Sequence, residues 1–205
     1  MTVYKLHYFE NVGGRAELTR LLFAYGGIEF EDVALKFSDW PVLKTNYPNG
    51  QVPVLEVDGK FLPQSVAIAR FAARKTNLLG EGDWEMALAD AFVDTAGDII
   101  AEMKSRGINV KIRNGNGSKV AEEVAEALKP YLGRIEKYLK TTNGVNLVGD
   151  HLTWADFAVA DVLKRYSLTG TNVLEEFPAV KKFVDHFHEL PKIKEYVAMR
   201  TLKYI

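Results

Sequence analysis

Segments with the pattern of β-strands occur only in the first 63 residues of this 205-residue chain. There, runs rich in β-forming residues alternate with segments whose apolar residues recur at helical spacing. The predicted elements are, in order, a strand at 3–9, a helix at 15–27, a strand at 28–35, a short helix start at 38–44, a hairpin at 52–63 and a helix at 64–76. Asp58-Gly59 marks the hairpin turn. This order predicts a βαβ unit followed by a ββα unit.

The rest of the chain shows only helical spacing, so we expect two domains. The βαβ-ββα order is that of an α/β thioredoxin-like domain, expected at residues 1–77, and a linker is expected at 78–83 before an all-helical domain at 84–205. The expected features of the second domain are one long helix at 84–112, a loop at 113–119, a helix at 119–140, a capping box at 153–156 that begins a buried helix, and short helices at 178–189 and 191–199.

Composition excludes several classes of protein. A net charge of −1 argues against a nucleic-acid partner, because nucleic-acid-binding proteins usually carry a basic patch. No apolar run approaches the ~20 residues of a membrane-spanning helix, and the first ten residues lack the pattern of a signal peptide. The chain has no cysteine, so it forms no disulfide and offers no thiolate of its own. We expect a cytoplasmic protein without a membrane partner.

Pro53 is the unusual residue of the segment GQVPVLEVDG at 50–59. Proline has no N–H to donate to a sheet, so within strands it occurs at the first residue, at an edge or at a bulge. Its presence in an otherwise strand-like run therefore indicates a special backbone position.

Several segments together point to one family. They are Tyr8 at the end of the first predicted strand, DWPVLK at 39–44, GQVPVLEVDG at 50–59, LPQSVAIARF at 62–71 and LTWADF at 152–157. The sequence resembles the cytosolic glutathione transferases over nearly its whole length, and most of all the sigma class, which includes invertebrate members and a prostaglandin D synthase branch. The resemblance implies a homodimeric enzyme of detoxification that conjugates glutathione to hydrophobic electrophiles.

The resemblance also assigns a role to Pro53. It implies a cis peptide bond between Val52 and Pro53, which would turn the Val52 backbone N–H and C=O outward. Glutathione, an extended tripeptide, would pair with these groups as an added strand. The thiol that the chain lacks would then arrive with glutathione as co-substrate.

Tyr8 is the predicted catalytic residue. The resemblance implies that its phenol donates a hydrogen bond to the glutathione sulfur, which favours the thiolate and lowers a thiol pKa of ~8.5. Arg15, at the start of the first helix, would add positive charge near the thiolate. The turn from Tyr8 to Arg15 is one residue longer than the sigma pattern leads us to expect.

Other residues are expected to bind the two ends of glutathione. Trp40 and Lys44, four residues apart on one helical face, would bind the glycine carboxylate, and Gln51 would bond polar groups of the peptide. Gln64 and Ser65 open a helix whose N-terminus suits the γ-glutamyl carboxylate, with Ser65 as the expected N-cap.

Asp98 is expected to act across a dimer interface. By resemblance it would reach the γ-glutamyl ammonium of glutathione bound to the partner chain. Some classes of the family seat an aromatic residue in the partner subunit, four positions before the cis proline. Asn49 stands there in this chain, so we expect a more polar interface.

The second substrate is expected to lie against apolar side chains. The residues proposed for this pocket are Phe9, Val12, Met103, Leu202 and Tyr204. By resemblance, the prostaglandin D synthase branch carries large aromatic residues at positions where this chain has Ser105 and Ala158. That difference weakens prostaglandin isomerisation as the main activity.

Alternatives remain open from the sequence alone. A crystallin-like structural or ligand-binding protein would use the same scaffold, because fold does not determine function. A glutathione-dependent isomerase or peroxidase is a further alternative. The presence of Tyr8 together with the predicted glutathione contacts favours the transferase. We predict no metal, since the histidines of HFH at 186–188 have too few partners for a metal site.

Overall fold

The computed structural model describes residues 2–200 and contains a four-stranded mixed sheet within that range. The strands are β1 (Tyr4–Phe9), β2 (Glu31–Leu35), β3 (Val54–Val57) and β4 (Lys60–Pro63). Their order in the sheet is β2-β1-β3-β4, with β1 parallel to β2 and the other pairs antiparallel. The predicted βαβ-ββα order is confirmed.

Helices make up most of the remaining chain. They are α1 (Glu17–Gly26), α2 (Trp40–Leu43), α3 (Ser65–Lys75), α4 (Gly82–Ser105), α5 (Ile108–Lys111), α6 (Ala121–Leu139), α7 (Trp154–Ser167), α8 (Pro178–Glu189) and α9 (Pro191–Met199). Short helical turns lie between some of them, among them Gly14–Ala16 directly before α1. Across residues 2–200, the helices are all too short or too polar to cross a membrane.

Alternation along β1 separates the two faces of the sheet. Tyr4 packs against Phe23 of α1 and Phe71 of α3, with ring centroids 5.5 and 6.3 Å apart. His7, whose side chain is on the opposite face of β1, contacts Tyr47 and Phe61 instead. Because side chains alternate along a strand, Tyr8 lies on the face of Tyr4.

The chain forms two compact units. Among the described residues, the first comprises 2–77 together with 192–200, and the second comprises Leu78–Pro191. α9 therefore clusters with the first unit, whereas we had expected the whole of 84–205 to form the second domain. Lys192 Nζ donates to the Tyr25 carbonyl at 2.8 Å, and Tyr196 Oη donates to Glu17 Oε1 at 3.3 Å.

α7 is the central helix of the second unit. Its residues Trp154–Leu163 are all buried, and the predicted capping box is present. The Asp156 carboxylate accepts from the backbone N–H of Thr153 and of Leu147, each at 2.7 Å. Burial raises the pKa of Asp156 to about 6, against the effect of these hydrogen bonds.

Four local predictions differ from the structure. The single helix expected at 84–112 is two helices, because Gly107 adopts φ 69 after α4 and such a left-handed residue ends a helix. The loop expected at 113–119 consists of irregular helical turns. Ser65 is the first residue of α3 rather than its N-cap, and Gln64 occupies the N-cap position. α4 also begins at Gly82, inside the expected linker.

Candidate active site

Tyr8 lies near the end of β1 with its side chain 9% exposed. Its phenolic oxygen accepts a hydrogen bond from the backbone N–H of Arg15 at 3.2 Å. Since the oxygen is the acceptor in this contact, the hydroxyl hydrogen can be donated to another group. An accepted hydrogen bond also polarises the O–H bond and makes it a better donor. The arrangement suits stabilisation of an anion placed next to Tyr8.

The turn between β1 and α1 is built to touch Tyr8. Asn11 and Gly14 have φ of 56° and 50°, the left-handed region that side chains other than glycine and asparagine rarely adopt. A Cβ added at Gly14 would lie 2.6 Å from Tyr8 Oη. Glycine is therefore needed there for both backbone conformation and space. The longer turn still brings the Arg15 N–H to Tyr8, while the Arg15 side chain is exposed.

The Val52–Pro53 peptide bond is cis, as predicted. Pro53 is buried, and the ladder between β1 and β3 reaches as far as the pair His7–Val54. Val52 lies just beyond this ladder and is partly exposed, and Gln51 next to it is exposed. The backbone of Val52 is thus at the end of the sheet, beside the strand that carries Tyr8.

Gln64 has an unusual backbone conformation at the entrance to α3. Its φ of 77° and ψ of 111° fall outside the regions that non-glycine residues favour. Such residues carry about 1–3 kcal/mol of strain and concentrate at ligand sites. Gln64 is exposed, and Ser65 follows it as the first residue of α3. The first N–H groups of any helix have no intrahelical partner, so this end of α3 suits a carboxylate.

Trp40 and Lys44 lie one helical turn apart. The Lys44 backbone N–H bonds to the Trp40 carbonyl, and the Lys44 side chain is exposed. The Trp40 ring is held between Phe9 and Tyr47, at centroid distances of 5.3 and 5.6 Å. Tyr47 is in turn fixed by His7, whose Nδ1 lies 3.1 Å from the Tyr47 hydroxyl. The indole therefore has a defined position beside Phe9.

Phe37 lies beside the candidate site and is not among the residues predicted for it from the sequence. Its ring stacks on that of Phe9, with centroids 4.1 Å apart and planes at 12°, and it is 55% exposed. Phe9 also contacts Tyr8, with centroids 5.6 Å apart. In the sequence, Phe37 is a single apolar residue in a polar loop. Single apolar residues are common on protein surfaces, so this one does not indicate a site. Phe9 and Phe37 form an exposed aromatic surface next to Tyr8.

The remaining predicted site residues are Val12, Met103, Asp98, Leu202 and Tyr204. Val12 is partly exposed on the turn before α1. Met103 is fully buried in α4 of the second unit, so its side chain is not on the surface of this chain, contrary to its expected place in the pocket. Asp98 is exposed on α4. Leu202 and Tyr204 lie outside the described residues.

Within 2–200 no group of three or more His, Cys, Asp or Glu residues could hold a metal ion.

The chain matches two domains of one family. Residues 4–74 match the glutathione S-transferase N-terminal domain and residues 104–200 match the glutathione S-transferase C-terminal domain. Glutathione S-transferase 1 of Ascaris suum is 38% identical over 202 residues, which cover 98% of each chain. The hematopoietic prostaglandin D synthase of Gallus gallus is 39% identical over 206 residues, again 98% of each chain.

Solved structures agree with this assignment. The chain is similar to the monomeric Na-GST-3 of the hookworm Necator americanus, with a TM-score of 0.90 at 33% identity over 99% of this chain and 100% of that one. It is also similar to rat hPGDS complexed with a quinoline, with a TM-score of 0.85 at 30% identity over 98% and 99% of the two chains. Fold, sequence and domain matches agree: the chain belongs to the glutathione S-transferase family and is a glutathione-conjugating enzyme.

Proposed function

We propose that Tyr8 activates the thiol of bound glutathione, and that the thiolate is conjugated to hydrophobic electrophiles, in a cytoplasmic, sigma-class enzyme of detoxification. The observation that carries the role of Tyr8 is its hydrogen bond from the Arg15 N–H at 3.2 Å. That bond occupies the phenolic oxygen as an acceptor and leaves the hydrogen to be donated to sulfur. The glutathione sulfur then attacks the electrophile, and the leaving group departs or the adduct takes up a proton.

Thiolate formation by itself can raise the reaction rate only to a limited extent. A free thiol with a pKa of ~8.5 is only ~3% ionised at pH 7, so occupancy can rise at most ~30-fold. Lowering the pKa by ~2 units corresponds to ~2.7 kcal/mol, but nucleophilicity falls as the pKa falls. Most of the rate enhancement must therefore come from holding the thiolate and the electrophile together.

Residues 1–77 are the proposed glutathione domain. The tripeptide would run along the exposed end of the sheet at Val52, with its glycine carboxylate at Trp40 and Lys44 and its γ-glutamyl carboxylate at Ser65. The strained conformation of Gln64, φ 77° and ψ 111°, supports this placement because such strain is typical of ligand sites. The exposed Gln51 beside Val52 is available for the peptide's polar groups.

The electrophile would lie on the aromatic surface formed by Phe9 and Phe37. This surface adjoins Tyr8, since the rings of Tyr8 and Phe9 are 5.6 Å apart. Exposed stacked rings suit flat or apolar partners. Val12, partly exposed on the turn before α1, would extend the surface.

A homodimer is the proposed assembly, with Asp98 completing the glutathione site of the partner chain. Asp98 is exposed on α4, as a residue that reaches another chain must be. A relative of similar fold, Na-GST-3, is described as monomeric. The proposal therefore needs a test that couples assembly to glutathione binding.

Prostaglandin isomerisation is the second candidate activity. It is favoured by 39% identity to a hematopoietic prostaglandin D synthase. Against it stand the small residues Ser105 and Ala158 at positions where the resemblance leads us to expect large aromatic ones. We therefore rank it below conjugation.

The decisive experiment is a panel of substrates offered with glutathione: aryl halides, isothiocyanates, enals, lipid peroxides and prostaglandin H. We expect conjugation of apolar and aromatic electrophiles, and we expect Phe37→Ala to raise KM for them more than it lowers kcat. A protein that converts only prostaglandin H would support the second candidate. A protein that binds glutathione but converts no member of the panel would contradict both.

A further inference from the structure

Arg20, a buried arginine of α1, joins three parts of the first unit. Its Nε and Nη2 donate to the two carboxylate oxygens of Asp32 in β2, at 2.7 and 3.1 Å. Its Nη1 donates to the backbone carbonyls of Val12 and Gly13, at 3.1 and 3.3 Å. Arg20 is 2% exposed, and hydrogen bonds from a charged group in such surroundings are strong.

These carbonyls belong to the turn that supports Tyr8. The next residues along the chain are Gly14, which packs against the phenol, and Arg15, whose N–H donates to the phenolic oxygen. The Arg20 guanidinium carbon also lies 5.8 Å from the centre of the Tyr8 ring, within the range of a cation–π contact. Arg20 thus holds both the turn and the ring.

The charge of Arg20 is permanent over any usual range of pH. Glu17, 1% exposed, places Oε2 3.5 Å from Arg20 Nη1, and Glu17 also contacts Tyr196 and Arg200 of the C-terminal segment. Burial lowers the pKa of Arg20, but the hydrogen bond and charge of Asp32 and the charge of Glu17 raise it above its ordinary value. A change in the pH profile of activity therefore cannot come from titration of Arg20 itself.

We propose that Arg20 is a positioning residue for the transferase reaction: its hydrogen bonds to Val12 and Gly13 keep the Arg15 N–H on the Tyr8 oxygen and the Tyr8 hydrogen directed at the glutathione sulfur. Arg20 does not touch the substrate. The inference rests on the proposed role of Tyr8. Its consequence is that loss of the forked guanidinium weakens thiolate stabilisation although Tyr8 is still present.

The test is a pH titration of the thiolate of glutathione bound to Arg20→Lys, followed by ultraviolet absorbance. Lysine keeps the charge but is a point donor, so it cannot serve Asp32 and the two carbonyls together. We expect the bound thiol pKa to rise by ~1 unit towards the free value of ~8.5, and kcat/KM near neutral pH to fall ~10-fold and recover at high pH. Gly27→Ala is the control, because it strains the end of α1 without touching the turn.

Each outcome decides the question. An unchanged thiol pKa in a folded Arg20→Lys protein, or a rise equal to that of Gly27→Ala, overturns the proposal. If Arg20→Lys does not fold, Asp32→Asn decides, because the Asp32 side chain is 40% exposed and its loss releases the guanidinium from its bidentate partner. A higher thiol pKa there supports the proposal and an unchanged one overturns it. Glutathione bound to Tyr8→Phe is titrated in the same experiment. If its thiol pKa equals that of the wild type, the proposed role of Tyr8 is wrong, and this outcome is distinguishable from a failure of the Arg20 proposal alone.

Discussion

Replacing Gly14 with alanine tests how closely the turn before α1 determines the position of the Tyr8 hydroxyl. The new Cβ would lie 2.6 Å from Tyr8 Oη, 2.9 Å from Cε1 and 3.1 Å from Cζ, whereas ordinary contacts begin at 3.4 Å. The phenol or the turn must therefore move by about 0.8 Å. Displacements near 1 Å in an active site lower the rate by up to ~100-fold.

The expected loss in kcat/KM is ~10- to 100-fold, or about 1.4–2.7 kcal/mol of transition-state stabilisation. A separate loss of stability arises from the backbone, because alanine at φ 50° costs about 1–2 kcal/mol. Gly27→Ala carries the same kind of strain at φ 66°, with no atom within 4 Å of the new Cβ. The difference between the two variants isolates the contact with Tyr8.

The assay combines steady-state kinetics over pH 6–9 with thermal unfolding of both variants. We expect similar losses of stability, a loss of kcat/KM only in Gly14→Ala, and a smaller loss at high pH, where the thiol ionises without help. If Gly14→Ala keeps the activity of Gly27→Ala at all pH values, the position of the phenol is not set by this turn and the reasoning is refuted.

Three further predictions concern single residues. Ser65→Ala should raise KM for glutathione ~10-fold with little change in kcat, since the contact is remote from sulfur; a loss confined to kcat would contradict its placement. Asp98→Ala should weaken glutathione binding by ~1–3 kcal/mol, and it should reduce the extra stability that glutathione is expected to give the dimer, as measured by sedimentation; Asp94→Ala on the same helix should do neither. Burial raises the pKa of Asp156 from 3.8 to about 6, so the folded state binds this proton more tightly than the unfolded state. The unfolding free energy of the wild type relative to Asp156→Asn should therefore fall by about 2 kcal/mol as pH rises from 4 to 6, and a flat difference would count against the shifted pKa.

Much of the fold follows from local chemistry that a sequence displays. The hairpin turn at Asp58-Gly59 has φ of 49° and 81°, which are the angles that such a dipeptide favours. The capping box of Thr153 and Asp156 is formed as predicted. The helix break at Gly107 was missed because an isolated glycine in a helical pattern is often tolerated, and only the left-handed backbone shows that it ends α4.

The candidate site was less predictable where backbone groups take part. The family resemblance assigned roles to Tyr8 and Arg15, but the contact that orients Tyr8 uses the Arg15 backbone N–H, which every non-proline residue possesses. The partners of Arg20 are carbonyl oxygens of a turn and a carboxylate of β2, twelve residues away from it. Neither spacing nor residue type indicates such contacts, because they depend on how the turn, strand and helix meet.

The most direct test of the account is the ionisation of glutathione bound to wild type and to Tyr8→Phe. With the hydroxyl present, we expect a bound thiol pKa near 6.5, about two units below the free value of ~8.5. Tyr8→Phe should bind glutathione within a few-fold of the wild type, yet its bound thiol should titrate near ~8.5 and its kcat should approach that of the wild type as pH rises. Equal thiol pKa values in the two proteins would contradict the central claim that the Tyr8 hydroxyl stabilises the thiolate.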